Sequence, residues 1–175
     1  MSQKHDADYS RFESGPRAQI LQTVNDSYST LADNQDNWVA NLANCSSLLW
    51  YAYNEGLKVP VNWCGFYVVD PKDDAQLILG PFMGKVACQT IKIGKGVCGT
   101  AASTKKVQRV SDVMKFPGHI ACDGDTKSEI VLPIIQGGIL KGVLDMDCLE
   151  KNGFHEEEVG YLEKLCDSVA SSCKF

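Results

Sequence analysis

The sequence predicts an α+β domain, a central antiparallel sheet covered by N- and C-terminal helices. Three observations carry that reading. Helical periodicity occupies both ends of the chain, the middle is a series of short β-rich runs broken by glycine and proline, and one strand pair is joined by a two-glycine turn. With 175 residues, 44% of them hydrophobic, the chain buries one good core and is too short for two ordinary domains. Residues 1–15 read as a polar extension and 16–175 as the domain.

Each element has its own justification. From Pro16 to Leu31 the apolar residues Ile20, Leu21, Val24, Tyr28 and Leu31 recur at helical spacing, with Pro16 suited to a first turn. A second helix follows from Gln35 to Glu55, its stripe made of Trp38, Leu42, Cys45 and Leu49 and its stop set by Gly56. Strands are expected at Val61–Asp70, Gln76–Gly80, Val86–Ile93 and Val107–Val110, separated by Pro71, Gly80-Pro81, Gly94 and Gly96. Ile130–Ile135 and Ile139–Met146 form the clearest pair, because Gln136-Gly137-Gly138 suits a tight hairpin. The stretch from His155 to Cys173 is helical again, with Glu156, Glu157 and Glu158 at its positive end. Ser111 to Ser128 fits neither period and reads as a long surface loop, a common place for function.

Composition narrows the partners. A net charge of −5 offers no broad basic surface, so neither nucleic acid nor an anionic membrane is expected. No apolar run approaches the roughly 20 residues that span a bilayer, and the polar start carries no export signal, so a reducing compartment is expected: the cytoplasm, with the nucleus compatible. Eight cysteines without a C-x-x-C then read as free thiols rather than a disulfide frame or zinc ribbon.

The thiols sort by position. Cys45, Cys166 and Cys173 lie on apolar helical stripes, Cys148 shares strand parity with Leu144 and Met146, and Cys64 has the parity opposite to Trp63 and Tyr67, so all five read as packing. Cys88, Cys98 and Cys122 are left in a strand start, a glycine-rich turn and the long loop. Spacing alone does not choose between packing and redox chemistry for these three. A metal set of His119, Cys122, Cys88 and Cys98 is the weaker alternative, since structural zinc usually uses paired knuckles, and no metal is expected. Gly94 to Gly99 matches G-x-G-x-x-G, but a short helix and no parallel crossover follow, so the glycines read as turn residues.

The hairpin adds carboxylates. Asp145 and Asp147 share a strand face, and the Gly137-Gly138 turn brings Glu129 beside them to within a residue of register. Solvated edge acids are the ordinary reading of any one of them. Three together repel, which raises at least one pKa and leaves a proton donor near neutrality. A thiol with a proton donor is what reduction of a sulfoxide needs: the thiolate attacks sulfur as the oxygen is polarised and protonated, and the resulting sulfenic acid is closed to a disulfide by a second cysteine.

Asn62-Trp63-Cys64-Gly65-Phe66-Tyr67, Leu79-Gly80-Pro81-Phe82, Gly94-Lys95-Gly96-Val97-Cys98-Gly99-Thr100-Ala101, Gly118-His119-Ile120-Ala121-Cys122-Asp123, Ser128-Glu129-Ile130-Val131-Leu132-Pro133 and Gly142-Val143-Leu144-Asp145-Met146-Asp147 together resemble the free methionine-(R)-sulfoxide reductases. The resemblance covers nearly all of the chain beyond the first helix. It implies a GAF domain, usually a homodimer, acting on the free amino acid, with no cofactor and with electrons from thioredoxin and NADPH. It implies that Cys122 attacks, that Cys88 resolves and that Cys98 resolves or relays, with Cys98 as nucleophile still open. Glu129, Asp145 and Asp147 match acids that bind and polarise the sulfoxide, and Trp63 and Tyr67 match aromatics of the substrate pocket. A ligand-binding GAF module without catalysis, which would not need the three thiols, and a thiol-redox sensor, which would not need the acids, are the competing readings.

Overall fold

The computed structural model describes residues 5–119 and 123–175, and Cys122 lies outside them. Among the described residues, four α-helices, α1 (Arg17–Leu31), α2 (Trp38–Tyr51), α3 (Gly96–Thr104) and α4 (Glu156–Ser172), surround six strands. These are β1 (Val61–Asp70), β2 (Asp73–Gly84), β3 (Thr90–Lys92), β4 (Gln108–Val110), β5 (Ser128–Gln136) and β6 (Ile139–Cys148). Every pairing is antiparallel, in the order β3-β2-β1-β6-β5-β4. The turn between β5 and β6 is the one the glycines demand, with φ of 58° at Gly137 and 80° at Gly138.

Strand alternation divides the core in two. Cys64, Phe66, Val68, Ile130, Leu132, Ile134, Leu144, Met146 and Cys148 point to the face covered by α1, α2 and α4, where Cys45, Cys166 and Cys173 are also buried. All five cysteines read as packing are therefore in this core. Trp63, Tyr67, Val131 and Val143 point the other way, against Val97, Cys98, Ala101 and Ala102 of α3. The terminal helices thus cover one face, and the short central helix covers part of the other. Residues of the expected N-terminal extension take part as well: Asp6–Ser10 is a 3-10 turn, and Tyr9 and Phe12 pack on the first core.

Several boundaries differ from the sequence reading. Gly56 does not stop the second helix, which widens into a π turn over Ala52–Leu57 and ends at Lys58 in the left-handed region. A Cβ on Gly56 would lie 2.9 Å from Ile20 Cδ1, so this glycine serves close packing against α1. Pro16 caps α1 rather than opening its first turn. The strand expected over Val86–Ile93 shrinks to Thr90–Lys92, because β2 runs on through Pro81 to Gly84, whose φ of 127° turns the chain away. Cys88 consequently sits in an irregular connection rather than at a strand start. The expected long loop is also better anchored than its composition suggests: Val113–Lys115 form a 3-10 turn capped by the Asp112 side chain, and Val113 and Thr126 are buried.

Gly142 is where β6 passes closest to β1. A Cβ there would lie 2.3 Å from the Tyr67 carbonyl oxygen. Gly142→Ala is expected to cost about 3 kcal/mol by overpacking, read as a lower urea midpoint at unchanged m-value.

Candidate active site

The register of β1, β6 and β5 builds the site. Asp147 is paired with Trp63 on one side and with Glu129 on the other, and Asp145 with Gly65 and Val131. Glu129, Asp145 and Asp147 therefore share the face that carries Trp63 and Tyr67. Gly65 is required there, since a Cβ would lie 2.2 Å from Phe82 Cβ. The space it leaves lets Phe82 stack on Trp63 with ring centroids 5.2 Å apart, while Tyr67 stacks on the same indole at 5.7 Å. Both polar ends are tied back: Trp63 Nε1 donates to the Lys85 carbonyl at 3.2 Å, and Tyr67 Oη donates to the Cys88 carbonyl at 3.1 Å.

Above this platform lies a pocket bounded by Lys95, Gly96, Val97 and Cys98 at the start of α3, by Lys85 and Ala87, and by His119, Asp123 and Thr126. Residues flanking the pocket clasp one another. Asn62 Nδ2 donates to Asp123 Oδ2 at 3.2 Å and to Thr126 Oγ1 at 3.0 Å, and Lys85 Nζ lies 3.3 Å from both Asp123 and Asp125 carboxylates. Burial, reinforced by mutual repulsion, holds the Glu129, Asp145 and Asp147 carboxyls well above the usual range. The same burial, with Asp145 and Glu129 beside it, pushes the Cys98 thiol up. His119 Nε2 lies 3.4 Å from Glu129 Oε2, yet burial holds the imidazole down. A raised carboxyl and a lowered imidazole both weaken the ionic character of that contact. Asp145 Oδ1 is buried and has no hydrogen-bond partner among the described residues, so a proton-donating ligand is what it lacks.

The whole arrangement sits on a recognisable scaffold. A GAF domain model matches residues 44–172. Free methionine-R-sulfoxide reductase of Saccharomyces cerevisiae is 54% identical over 173 residues, covering 98% of this chain and 96% of that protein. The chain belongs to the GAF-domain family of free methionine-R-sulfoxide reductases. The Escherichia coli protein of that name is 40% identical over 149 residues, 85% of this chain and 86% of its own. Free methionine-R-sulfoxide reductase from Neisseria meningitidis, solved in complex with its substrate, superposes with a TM-score of 0.85 at 34% identity, covering 93% of each chain.

Within this GAF domain, Trp63, Tyr67, Cys98, Glu129, Asp145 and Asp147 line one pocket, and Cys88 is not among its lining residues. Cys88 packs beside the second core and is disulfide-bonded, whereas Cys98 is a free, buried thiol. The sequence reading gave no site role to Phe82, Lys85, Asn62 or Thr126, although Asn62 and Phe82 stand in the motifs quoted above. Phe82 was within reach, because the Gly65 opposite it marks a close approach. The clasp of Lys85 and Asn62 on Asp123 joins segments far apart in the chain and leaves no local signal.

Proposed function

We propose that this chain reduces the R-sulfoxide of free methionine to methionine, through a cysteine sulfenic acid and an intramolecular disulfide that thioredoxin reopens. The observation that carries the reading is the buried acid cluster facing an aromatic platform and the Cys98 thiol in one pocket. An S-methyl group suits the face of Trp63, and the sulfoxide oxygen suits raised carboxyls that donate a proton. The amino-acid end suits the rest: buried carboxylates attract an ammonium group, while Lys85, Lys95 and the free amide end of α3 attract a carboxylate.

Cys122 attacks the substrate sulfur as its thiolate. The S–O bond breaks, the oxygen passes with its proton to the cysteine, and methionine leaves with a sulfenic acid behind it. Cys88 then attacks that sulfenic sulfur, releasing water and forming a disulfide. Two electrons from a thioredoxin dithiol restore both thiols. Glu129 and Asp145 polarise and protonate the oxygen; burial keeps both carboxyls high, with repulsion from Asp147 adding to the effect at Glu129 and repulsion from Glu129 at Asp145. Two observations favour this assignment of the thiols. Cys98 is buried beside two carboxylates, which disfavours its thiolate. Cys88 is disulfide-bonded beside the pocket, as a resolving thiol must become. We also propose a homodimer, on the strength of the resemblance alone.

The test is NADPH consumption with thioredoxin and thioredoxin reductase, supplying the free R epimer, the free S epimer or a sulfoxide-containing peptide. Consumption with the free R epimer only, abolished in Cys122→Ser, is the expected result; equal consumption with the peptide would overturn the specificity. Cys88→Ser should give one methionine per chain without thioredoxin and then stall as a sulfenic acid that a dimedone-type reagent traps.

A further inference from the structure

We propose that the floor of this pocket is also a binding site for a zinc-class cation, formed by Cys98 Sγ and by carboxylate oxygens of Glu129 and Asp145, with His119, beside Glu129 but outside that three-residue cluster, swinging in as a fourth donor when the ion binds. The ligand atoms of Cys98, Glu129 and Asp145 all lie within 4.8 Å of one another. Donors on a tetrahedron around zinc, with bonds of about 2.0–2.3 Å, stand about 3.5 Å apart. Binding therefore has to draw the three donors inward to that spacing.

A second observation points into the same space. Asp145 is only 7% exposed, and its Oδ1 lacks a partner among the described residues. A buried carboxylate oxygen left open beside a thiol and a second carboxylate is a coordination position as much as a hydrogen-bonding one. His119 brings a nitrogen to the Glu129 side of the group, 3.4 Å from Oε2. This set differs from the His119, Cys122, Cys88 and Cys98 combination that sequence spacing suggested, and it needs neither Cys88 nor Cys122.

The donor types choose the ion. Calcium and magnesium favour all-oxygen shells, whereas a thiolate with an imidazole and carboxylates suits Zn²⁺ or Co²⁺. Binding converts the Cys98 thiol to a thiolate, its proton passing to solvent, with no change of oxidation state. The metal occupies the oxygens assigned above to the sulfoxide, so it excludes substrate; only this consequence rests on the reductase reading.

The full chain carrying Cys88→Ser and Cys122→Ser, with the remaining thiols reduced, is titrated with Co²⁺. One equivalent should produce a near-ultraviolet sulfur-to-cobalt charge-transfer band and intense tetrahedral visible bands, both discharged by Zn²⁺. Adding Cys98→Ser should remove the charge-transfer band and weaken Zn²⁺ binding at least about tenfold, while Asp145→Asn should keep the band and weaken binding. No band in the parent, or a band that survives Cys98→Ser, overturns the site. Free methionine should raise the apparent Co²⁺ dissociation constant, and failure to do so overturns the exclusion. Cobalt spectra do not depend on turnover, so a failed reductase assay leaves this test standing, and a failed titration leaves the reductase reading untouched.

Discussion

Glu129→Gln is expected to lower kcat/KM for methionine R-sulfoxide by about 10²–10⁴-fold, while making the protein harder to unfold above neutral pH. The loss follows from position. Glu129 is paired across the sheet with Asp147 and shares a side-chain hydrogen bond with Asp145, on the face that carries Trp63 and Tyr67. A glutamine keeps the shape and a donor there but has no acidic proton to give as the sulfoxide bond breaks. Asp145 is then left as the one acid of the pair assigned to protonate the oxygen while Cys122 attacks.

The gain in stability follows from the same crowding. Burial and repulsion raise the Glu129, Asp145 and Asp147 carboxyls in the folded chain. Between the ordinary carboxylate range and those raised values the folded chain holds more protons than the unfolded one. Stability therefore falls as pH rises through that window. Below it both states are protonated and the penalty vanishes. Removing one ionisable member relieves the penalty, so the melting temperature of Glu129→Gln should exceed that of the parent at about pH 8 and approach it at about pH 4. A variant with lower melting temperature at both values would show that Glu129 is a structural residue of the hairpin instead.

How much of this was legible in the sequence depends on the range of the interaction concerned. The β5–β6 hairpin was legible because Gly137 and Gly138 fix its turn, and a fixed turn fixes register, so Glu129, Asp145 and Asp147 followed as neighbours. Strand parity likewise separated Cys64 and Cys148, facing the helices, from Trp63 and Tyr67, facing the pocket. Gly56 misled because a glycine at the end of a helical stripe looks the same whether it stops the helix or admits Ile20. Cys88 misled because β-rich residues flank it, while the turn at Gly84 removes them from the sheet. The meeting of His119 with Glu129, and of Lys85 with Asp123, depends on how a long segment folds back, which no local period records.

Arg17→Met is expected to cost about 3–5 kcal/mol of folding stability without touching the pocket. Glu158 opens α4 and is fully buried, a costly place for a carboxylate. Its oxygens are served from three elements: Arg17 Nη1 of α1 pairs with Oε1, Tyr53 Oη donates to Oε2 at 2.6 Å, and the His155 amide donates to Oε1 at 3.1 Å. This cluster lies in the helical layer, on the opposite side of the sheet from the acids of the site. Methionine keeps most of the stem and removes the charge, leaving Glu158 buried with two neutral donors. Tyr53→Phe should cost less, about 1.5–3 kcal/mol, because the arginine remains. If the charge left behind is the cause, then adding Glu158→Leu to Arg17→Met should recover most of the loss in urea denaturation. If the double variant is no more stable than Arg17→Met, the arginine acts through packing of its stem on α4. Below the unfolding transition, reductase activity of Arg17→Met should match the parent, because the lesion lies across the sheet from Trp63, Tyr67, Cys98 and the three acids of the pocket.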